Sequence, residues 1–245
     1  MTKLLLSGAT GRMGKAISAL CTQYGFEVVA GIDVNTAEKT PFPLYSSYAL
    51  CREEAQVLAD FSRPAHLKQT LRCAMDRQVP LLVGTTGLEA AHERMINEAA
   101  AEIPLLQSAN FSLGIQALLR LAQQAKSFLP DFDIEIIERH HAQKADSPGG
   151  TALMLYTAVA QSQTQPVYGR HAALQKRTQQ EIGLHAVRGG TLCGIHETGF
   201  YGQGEHLQLI HTAESRDVFA HGALRCLQWL ISQKPGRYDM KDIFS

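Results

Sequence analysis

The sequence contains no CxxC pair, no stretch apolar and long enough to cross a bilayer, no net charge and no internal repeat. Each absence excludes something. The five cysteines, Cys21, Cys51, Cys73, Cys193 and Cys226, are scattered and odd in number. That argues against a disulfide framework or a thiolate zinc site and for reduced thiols. Lys plus Arg and Asp plus Glu both total 23, a formal net charge of +0. Nothing in that balance points to nucleic acid or an anionic membrane as partner. The apolar run before Gly8 has a strand's length, too short for a signal peptide or a span. The expectation is a cytoplasmic protein with no membrane contact.

What is present is ordinary globular material: 245 residues, 45% hydrophobic and 19% charged. That is enough for one or two cores. Lys3 to Ser7 reads as a buried strand, Gly8 to Gly14 as a turn, Lys15 to Tyr24 as a helix and Phe26 to Ile32 as a second strand. This has the size of a βαβ crossover. The alternation continues with strands at Val57 to Phe61, Pro80 to Gly84 and Ile103 to Gln107, and helices at Ala65 to Arg77 and Glu89 to Glu102. Thr36 to Ser47, with Pro41 and Pro43, reads as a loop. Such alternation predicts an α/β fold, a Rossmann-type parallel sheet with helices on both faces.

The pattern changes after Asn110. A helix is predicted from Ile115 to Phe128, a strand from Asp133 to Glu138 and a helix from Thr151 to Gln163. Strand-like runs follow at Leu184 to Arg188, Thr191 to Thr198 and His206 to Ala213, with no helix between them. A second, α+β domain with a mixed sheet is therefore expected over 111–216, between a first domain at 1–110 and its completing segment at 217–245. Gly222 to Ser232 reads as a last helix, folding back onto the first domain.

Two segments carry chemistry. The turn Gly8-Ala9-Thr10-Gly11-Arg12-Met13-Gly14 follows a strand and opens a helix, with Asp33 ending the next strand. Glycines let the backbone approach a pyrophosphate, and amides at the helix start face its charge. Asp33 would accept hydrogen bonds from the ribose hydroxyls and repel a 2′-phosphate, which favours NADH. Arg12 and Lys15 could still offset such a phosphate, so NADPH remains open. A turn-shaping role for Asp33 is the plainer alternative.

The second segment runs Glu138-Arg139-His140-His141-Ala142-Gln143-Lys144-Ala145-Asp146-Ser147-Pro148-Gly149-Gly150-Thr151-Ala152. It gathers two imidazoles, an ammonium and a Gly-Gly-Thr helix start. Histidine suits a general acid near neutral pH, and the helix start suits a carboxylate. An anionic substrate that receives a proton fits this better than a merely polar loop. No metal is expected, since lysine is a poor ligand and no His-Glu-x-x-His spacing occurs.

With these blocks the chain resembles the dihydrodipicolinate reductase family, whose pattern E-x-H-H-x-x-K-x-D-x-P-S-G-T-A it matches at all but one fixed position. Further matching blocks are Asp60 to Pro64, Gly84 to Gly87, Ala109 to Gly114, Val187 to Gly190, Ser215-Arg216 and Phe219 to Ala223. The resemblance implies His140 and Lys144 as catalytic residues, and His141, Gly150 and Thr151 as holders of a substrate carboxylate. It implies a cofactor site of Gly8, Ala9, Thr10, Gly11, Arg12, Met13, Asp33, Gly84, Thr85, Thr86, Ser108, Ala109, Asn110 and Phe111. It also implies a hinge at Arg216, domain closure, a homotetramer built through the second domain, and NAD(P)H-dependent reduction in lysine and diaminopimelate biosynthesis.

The chain departs from the family pattern at Gly149, where the family has serine, at Thr191 in place of aspartate and at Ile195 in place of glutamate. Basic residues are missing at Val34 and Asn35, which strengthens the NADH expectation. A phosphorylating semialdehyde dehydrogenase would need a nucleophilic cysteine, and none of the five sits in an obvious catalytic turn. A non-catalytic NAD(H) sensor would not need His140 and Lys144 together.

Overall fold

The computed structural model describes residues 1–171 and 176–244. The elements are β1 (Thr2–Ser7), α1 (Arg12–Leu20), β2 (Phe26–Ile32), β3 (Leu44–Tyr45), β4 (Val57–Asp60), α2 (Leu67–Arg77), β5 (Leu81–Val83), α3 (Ala90–Ala100) and β6 (Pro104–Gln107). There follow α4 (Leu113–Phe128), β7 (Asp133–His140), α5 (Gly150–Val159), β8 (Gln165–Tyr168), β9 (Glu181–Arg188), β10 (Gly194–Tyr201), β11 (His206–Ala213), α6 (Asp217–Leu230) and β12 (Gly236–Tyr238). The chain divides into two compact units, Met1–Ser112 with Asp217–Ser245, and Leu113–Arg216.

In the first unit Leu4, Leu5 and Leu6 are completely buried. A strand apolar on both faces belongs in the middle of a parallel sheet covered by helices. β1 is indeed central: the order is β12-β6-β5-β4-β1-β2-β3, and every pairing is parallel. The chain order reverses between β1 and β4, and a crevice at the strands' C-terminal ends is the usual ligand position there. One core gathers Leu5, Leu58, Leu71, Leu81, Val83, Ile96 and Leu105. α6 packs its buried face, including Leu224, Leu227 and Leu230, toward α1, β5 and β6.

In the second unit the sheet order is β11-β10-β7-β9-β8. β7 runs parallel to β9 and antiparallel to β10, so the sheet is mixed as expected. Alternation along β7 buries Ile134, Ile136 and Glu138. The two isoleucines meet Ile115, Leu118 and Ala122 of α4 and Ala152 and Leu155 of α5.

Several boundaries differ from expectation. The Thr36 to Ser47 loop contains β3, whose two residues pair with Gly31 and Ile32. The strand expected from Thr191 begins only at Gly194, because Gly190, at φ +53°, turns the chain first. α5 stops at Val159 instead of Gln163, where Ala160 turns extended. The last helix begins at Asp217, earlier than Gly222. β8 and β12 have no counterpart in the pattern reading.

Candidate functional site

The Gly8 to Gly14 turn leaves the C-terminal end of β1. Gly8 sits at φ +74°, and a Cβ there would lie 2.5 Å from the Phe61 carbonyl oxygen. At Gly14 a Cβ would strike the carbonyls of Gly8 and Ala9, so α1 packs directly on the turn. Gly11 caps α1 without a side-chain hydrogen bond, which leaves the first-turn amides for an anion. The turn borders a cavity of about 370 Å³ lined by Gly8, Thr10, Gly11, Asp33, Asn35, Ser46, Tyr48, Ser62 and Arg63, among others.

Asp33 borders that cavity and accepts the Thr10 N–H at 2.9 Å and the Asn35 N–H at 3.2 Å. Burial opposes its charge, but the backbone hydrogen bonds outweigh burial and hold the carboxyl below its ordinary range. Asp33 thus shapes the turn as well as facing the cavity. Lys15 is ion-paired to Glu38 at 2.8 Å.

The segments from Gly84 to Thr86 and from Ser108 to Phe111 follow β5 and β6, on the same sheet edge as the turn. Asp60, completely buried at the end of β4, ties in the first of them. It accepts Thr85 Oγ1 at 2.8 Å and Ser62 Oγ at 2.6 Å. Phe61 meets Phe111 edge-on, with ring centroids 5.6 Å apart, and a Cβ at Gly84 would strike the Phe61 ring. Ser108 Oγ donates to the Asn110 carbonyl at 2.8 Å. Asp60 and Phe61 were not among the expected site residues; an acid ending a fully apolar strand was the available signal.

In the second unit, β7 ends in Glu138, Arg139 and His140. Glu138 and His140, two apart, share one face. The register sets His196 of β10 opposite Glu138 and Arg188 of β9 opposite His140. All four polar side chains thereby continue the face that α4 and α5 cover. Glu138 accepts Arg188 Nη2 at 2.7 Å and the Gly149 N–H at 2.8 Å, and its other oxygen is ion-paired to His140 Nδ1. The His140 and His196 rings meet edge-on at 5.1 Å. Lys144 Nζ lies 2.7 Å from both oxygens of Asp146. His141 Nε2 lies 3.1 Å from Arg216.

Electrostatics separates these groups. Burial, then the positive charge of Lys144, lowers the His140 pKa, and Glu138 only partly offsets this. Burial, then the His140 charge, pushes His196 down to about 4. Burial opposes the charge on Glu138, but Arg188 and the Gly149 amide outweigh it, so Glu138 stays ionised. Glu138, His140 and His196 also bring three ligand-type atoms within 4.8 Å of one another. The Glu138–His140 ion pair already joins two of those atoms, and Lys144 and Arg188 add positive charge beside them, which suits a proton-carrying network better than a cation.

α5 starts at Gly150 with Gly149 as its cap, again without a side-chain cap. A Cβ at Gly150 would meet nothing within 4 Å, so the space beside this helix start is open. Thr151 occupies the next position of that first turn. The structure thus brings His140, Lys144, Gly150 and Thr151 to one end of the second unit. Glu138, Arg188 and His196, missed as site residues, complete the cluster. Glu138 stood in the motif; the other two arrive through strand register.

Comparison with known proteins agrees with this geometry. Residues 2–111 match the family model described as dihydrodipicolinate reductase, N-terminus, and residues 114–244 match its C-terminus. A 4-hydroxy-tetrahydrodipicolinate reductase of Caldanaerobacter subterraneus is 43% identical over 99% of this chain and 98% of its own. One from Zymomonas mobilis is 40% identical over 98% of this chain and 96% of its own. Among solved structures, a dipicolinate-bound dihydrodipicolinate reductase from Paenisporosarcina sp. TG-14 superposes with a TM-score of 0.82 at 22% identity, covering 98% of this chain and 97% of that one. At that identity the likeness concerns the fold.

Proposed function

The chain belongs to the dihydrodipicolinate reductase family, and from that premise we propose that it is an NAD(P)H-dependent oxidoreductase reducing 4-hydroxy-tetrahydrodipicolinate, or its dehydrated form, to tetrahydrodipicolinate in lysine and diaminopimelate biosynthesis. The observation that carries the reading is the cluster at the end of β7: an imidazole on a buried carboxylate, beside an ammonium and a helix N-terminus without a side-chain cap.

The glycine turn fits a dinucleotide, since Gly8 and Gly14 let the turn pack closely against Phe61 and α1 and Gly11 leaves the helix start without a side-chain cap. Gly8 to Met13 and Asp33 hold the nucleotide, and Gly84 to Thr86 with Ser108 to Phe111 border the nicotinamide. When bound, the reduced nicotinamide would supply a hydride to C4 of the dehydrated ring, the hydroxylated form first losing its C4 hydroxyl as water. The electron pair displaced from the ring double bond gives the neighbouring carbon enamine-like carbanion character, and His140 gives that carbon its proton and becomes neutral itself. Lys144, His141 and the Gly150 and Thr151 amides hold the carboxylates, whose charge they match without reorganisation.

NADH is the preferred cofactor and NADPH a possible one, because Asp33 faces the cavity and Glu38 neutralises Lys15. The second unit assembles a homotetramer. Support comes from β11, an edge strand with Leu207 and Ile210 exposed, a surface that invites pairing. Among the described residues no helix is long and apolar enough to cross a membrane.

A coupled assay tests the activity: aspartate semialdehyde and pyruvate with the preceding synthase, following NADH absorbance. Oxidation that depends on the added chain is expected, and H140A should abolish most of it while NADH binding persists. Full turnover by H140A would overturn the role of His140.

A further inference from the structure

We infer that Glu138 is a positioning residue for the proton transfer: its buried carboxylate holds the Nδ1–H of His140, so that Nε2 is the nitrogen that delivers the proton. The inference rests on the reading of His140 as the acid and adds the group that aims it.

Glu138 Oε2 and His140 Nδ1 touch as an ion pair without hydrogen-bond alignment, and neither has another hydrogen-bond partner, so each is left with only the other to satisfy it. Glu138 is completely buried, and an unpaired carboxylate there would be costly. Arg188 and the Gly149 amide take one of its oxygens, which fixes the carboxylate plane and leaves the other for His140. The pairing is built by the strand itself, through residues two apart on one face. On the far side of the ring β10 presents Gly194, where a Cβ would lie 3.1 Å from Nε2. A side chain at that position would cover the nitrogen; glycine leaves it open.

The groups facing His140 are Glu138 on its own strand, Arg188 on β9, His196 on β10 and Lys144 on the following loop, with Asp146 behind the lysine. Burial and the two cations disfavour the imidazolium. Glu138 is the one anion in direct contact with the ring among the described residues, and it favours the protonated form that an acid requires. His196, itself kept neutral by burial, adds no competing charge near pH 7. A neutral His140 bearing its proton on Nδ1 is ready to be recharged at Nε2.

Nitrogen-15 NMR of His140 in the unmodified protein measures this directly. The neutral ring should carry its proton on Nδ1; a proton on Nε2 overturns the inference without recourse to any variant. In E138Q the amide oxygen still serves Arg188 and Gly149, while its NH2 turns toward Nδ1 and makes that nitrogen an acceptor. The His140 titration should then move to lower pH, and kcat should fall by about 10- to 100-fold with NADH affinity unchanged. The decline of activity on raising pH should begin earlier, and E138D should restore part of the profile. An E138Q enzyme with the parental His140 titration and pH profile overturns the inference. H140N separates the two readings: if it keeps full turnover, the acid assignment fails, whatever tautomer Glu138 imposes.

Discussion

Both carboxylate oxygens of Asp146 lie 2.7 Å from the ammonium of Lys144, and the acid's side chain is 59% exposed. An ion pair that open to water contributes about 1 kcal/mol or less. A substrate carboxylate can therefore displace Asp146 at little cost. K144Q should lower kcat/KM for the dicarboxylate by about 10- to 100-fold, the loss of one charged hydrogen bond. D146N should stay within about threefold of the parent on the same argument. Steady-state kinetics on both variants decides, and a D146N defect as large as that of K144Q would make the pair a structural unit instead.

Gly149 is the position where this chain lacks the family's serine. A Cβ there would lie 3.0 Å from Lys144 Cε and 3.2 Å from its Nζ, both at the end of a flexible side chain. G149S also supplies a hydroxyl cap to α5, worth a few tenths of a kcal/mol over glycine. The variant should melt at the same or a slightly higher temperature. It should also show a severalfold lower KM for the dicarboxylate, from about 1 kcal/mol of added hydrogen bonding. A raised KM would mean that Lys144 had been pushed off its place.

Asp60 links two loops of the nucleotide unit through Ser62 and Thr85. D60A strips partners from a buried hydroxyl and a backbone amide, each costing about 1–3 kcal/mol when left unmade. Thermal melting should drop by several degrees. The dissociation constant for NADH, read by nucleotide fluorescence, should rise, because the loop at Gly84 to Thr86 loses its anchor. Unchanged affinity in a destabilised protein would confine Asp60 to folding.

The fold was legible wherever local pattern and burial agree. Leu4 to Leu6 reads as a central strand because it is apolar on both faces, and the spacing of Gly8, Gly11 and Gly14 carries its own steric reason. Short edge strands were not legible. β12 has three residues after Pro235, and it is anchored by Arg237, which donates to Glu93, Asn97 and Gln107. β8 contains Pro166, which argues against a strand except at a sheet edge. Within the site, His140 and Lys144 stood together in the chain. Arg188 and His196 reach them only through the pairing of β7 with β9 and β10, information that periodicity does not hold.

Cofactor preference turns on two acids. Asp33 spends part of its hydrogen-bonding capacity on Thr10 and Asn35, and Glu38 occupies Lys15. NADH should bind more tightly than NADPH. E38Q should narrow the gap by freeing Lys15 for a 2′-phosphate, and D33N should narrow it further by removing the repelling charge. Separate titrations of the two nucleotides measure this. Tighter NADPH binding by the parent would refute the role given to Asp33.

Stability against pH follows from His196. Its folded pKa of about 4 lies below the ordinary 6.5, so between those values the unfolded chain holds a proton that the folded chain does not. Stability rises with pH wherever the unfolded state binds more protons. The contribution of His196 is therefore fully present above about 6.5 and declines as pH falls toward 4, where it levels off. The amplitude is of the order of 3 kcal/mol. Glu138, with its carboxyl held below the ordinary 4.5, adds a separate loss at more acid pH as it is protonated. Thermal melts of the parent should lose several degrees between pH 7 and pH 4.5. H196F removes the titrating ring, so its melting temperature should vary less across that interval even if it is lower at pH 7. A variant curve running parallel to the parent's would place the pH-sensitive group elsewhere.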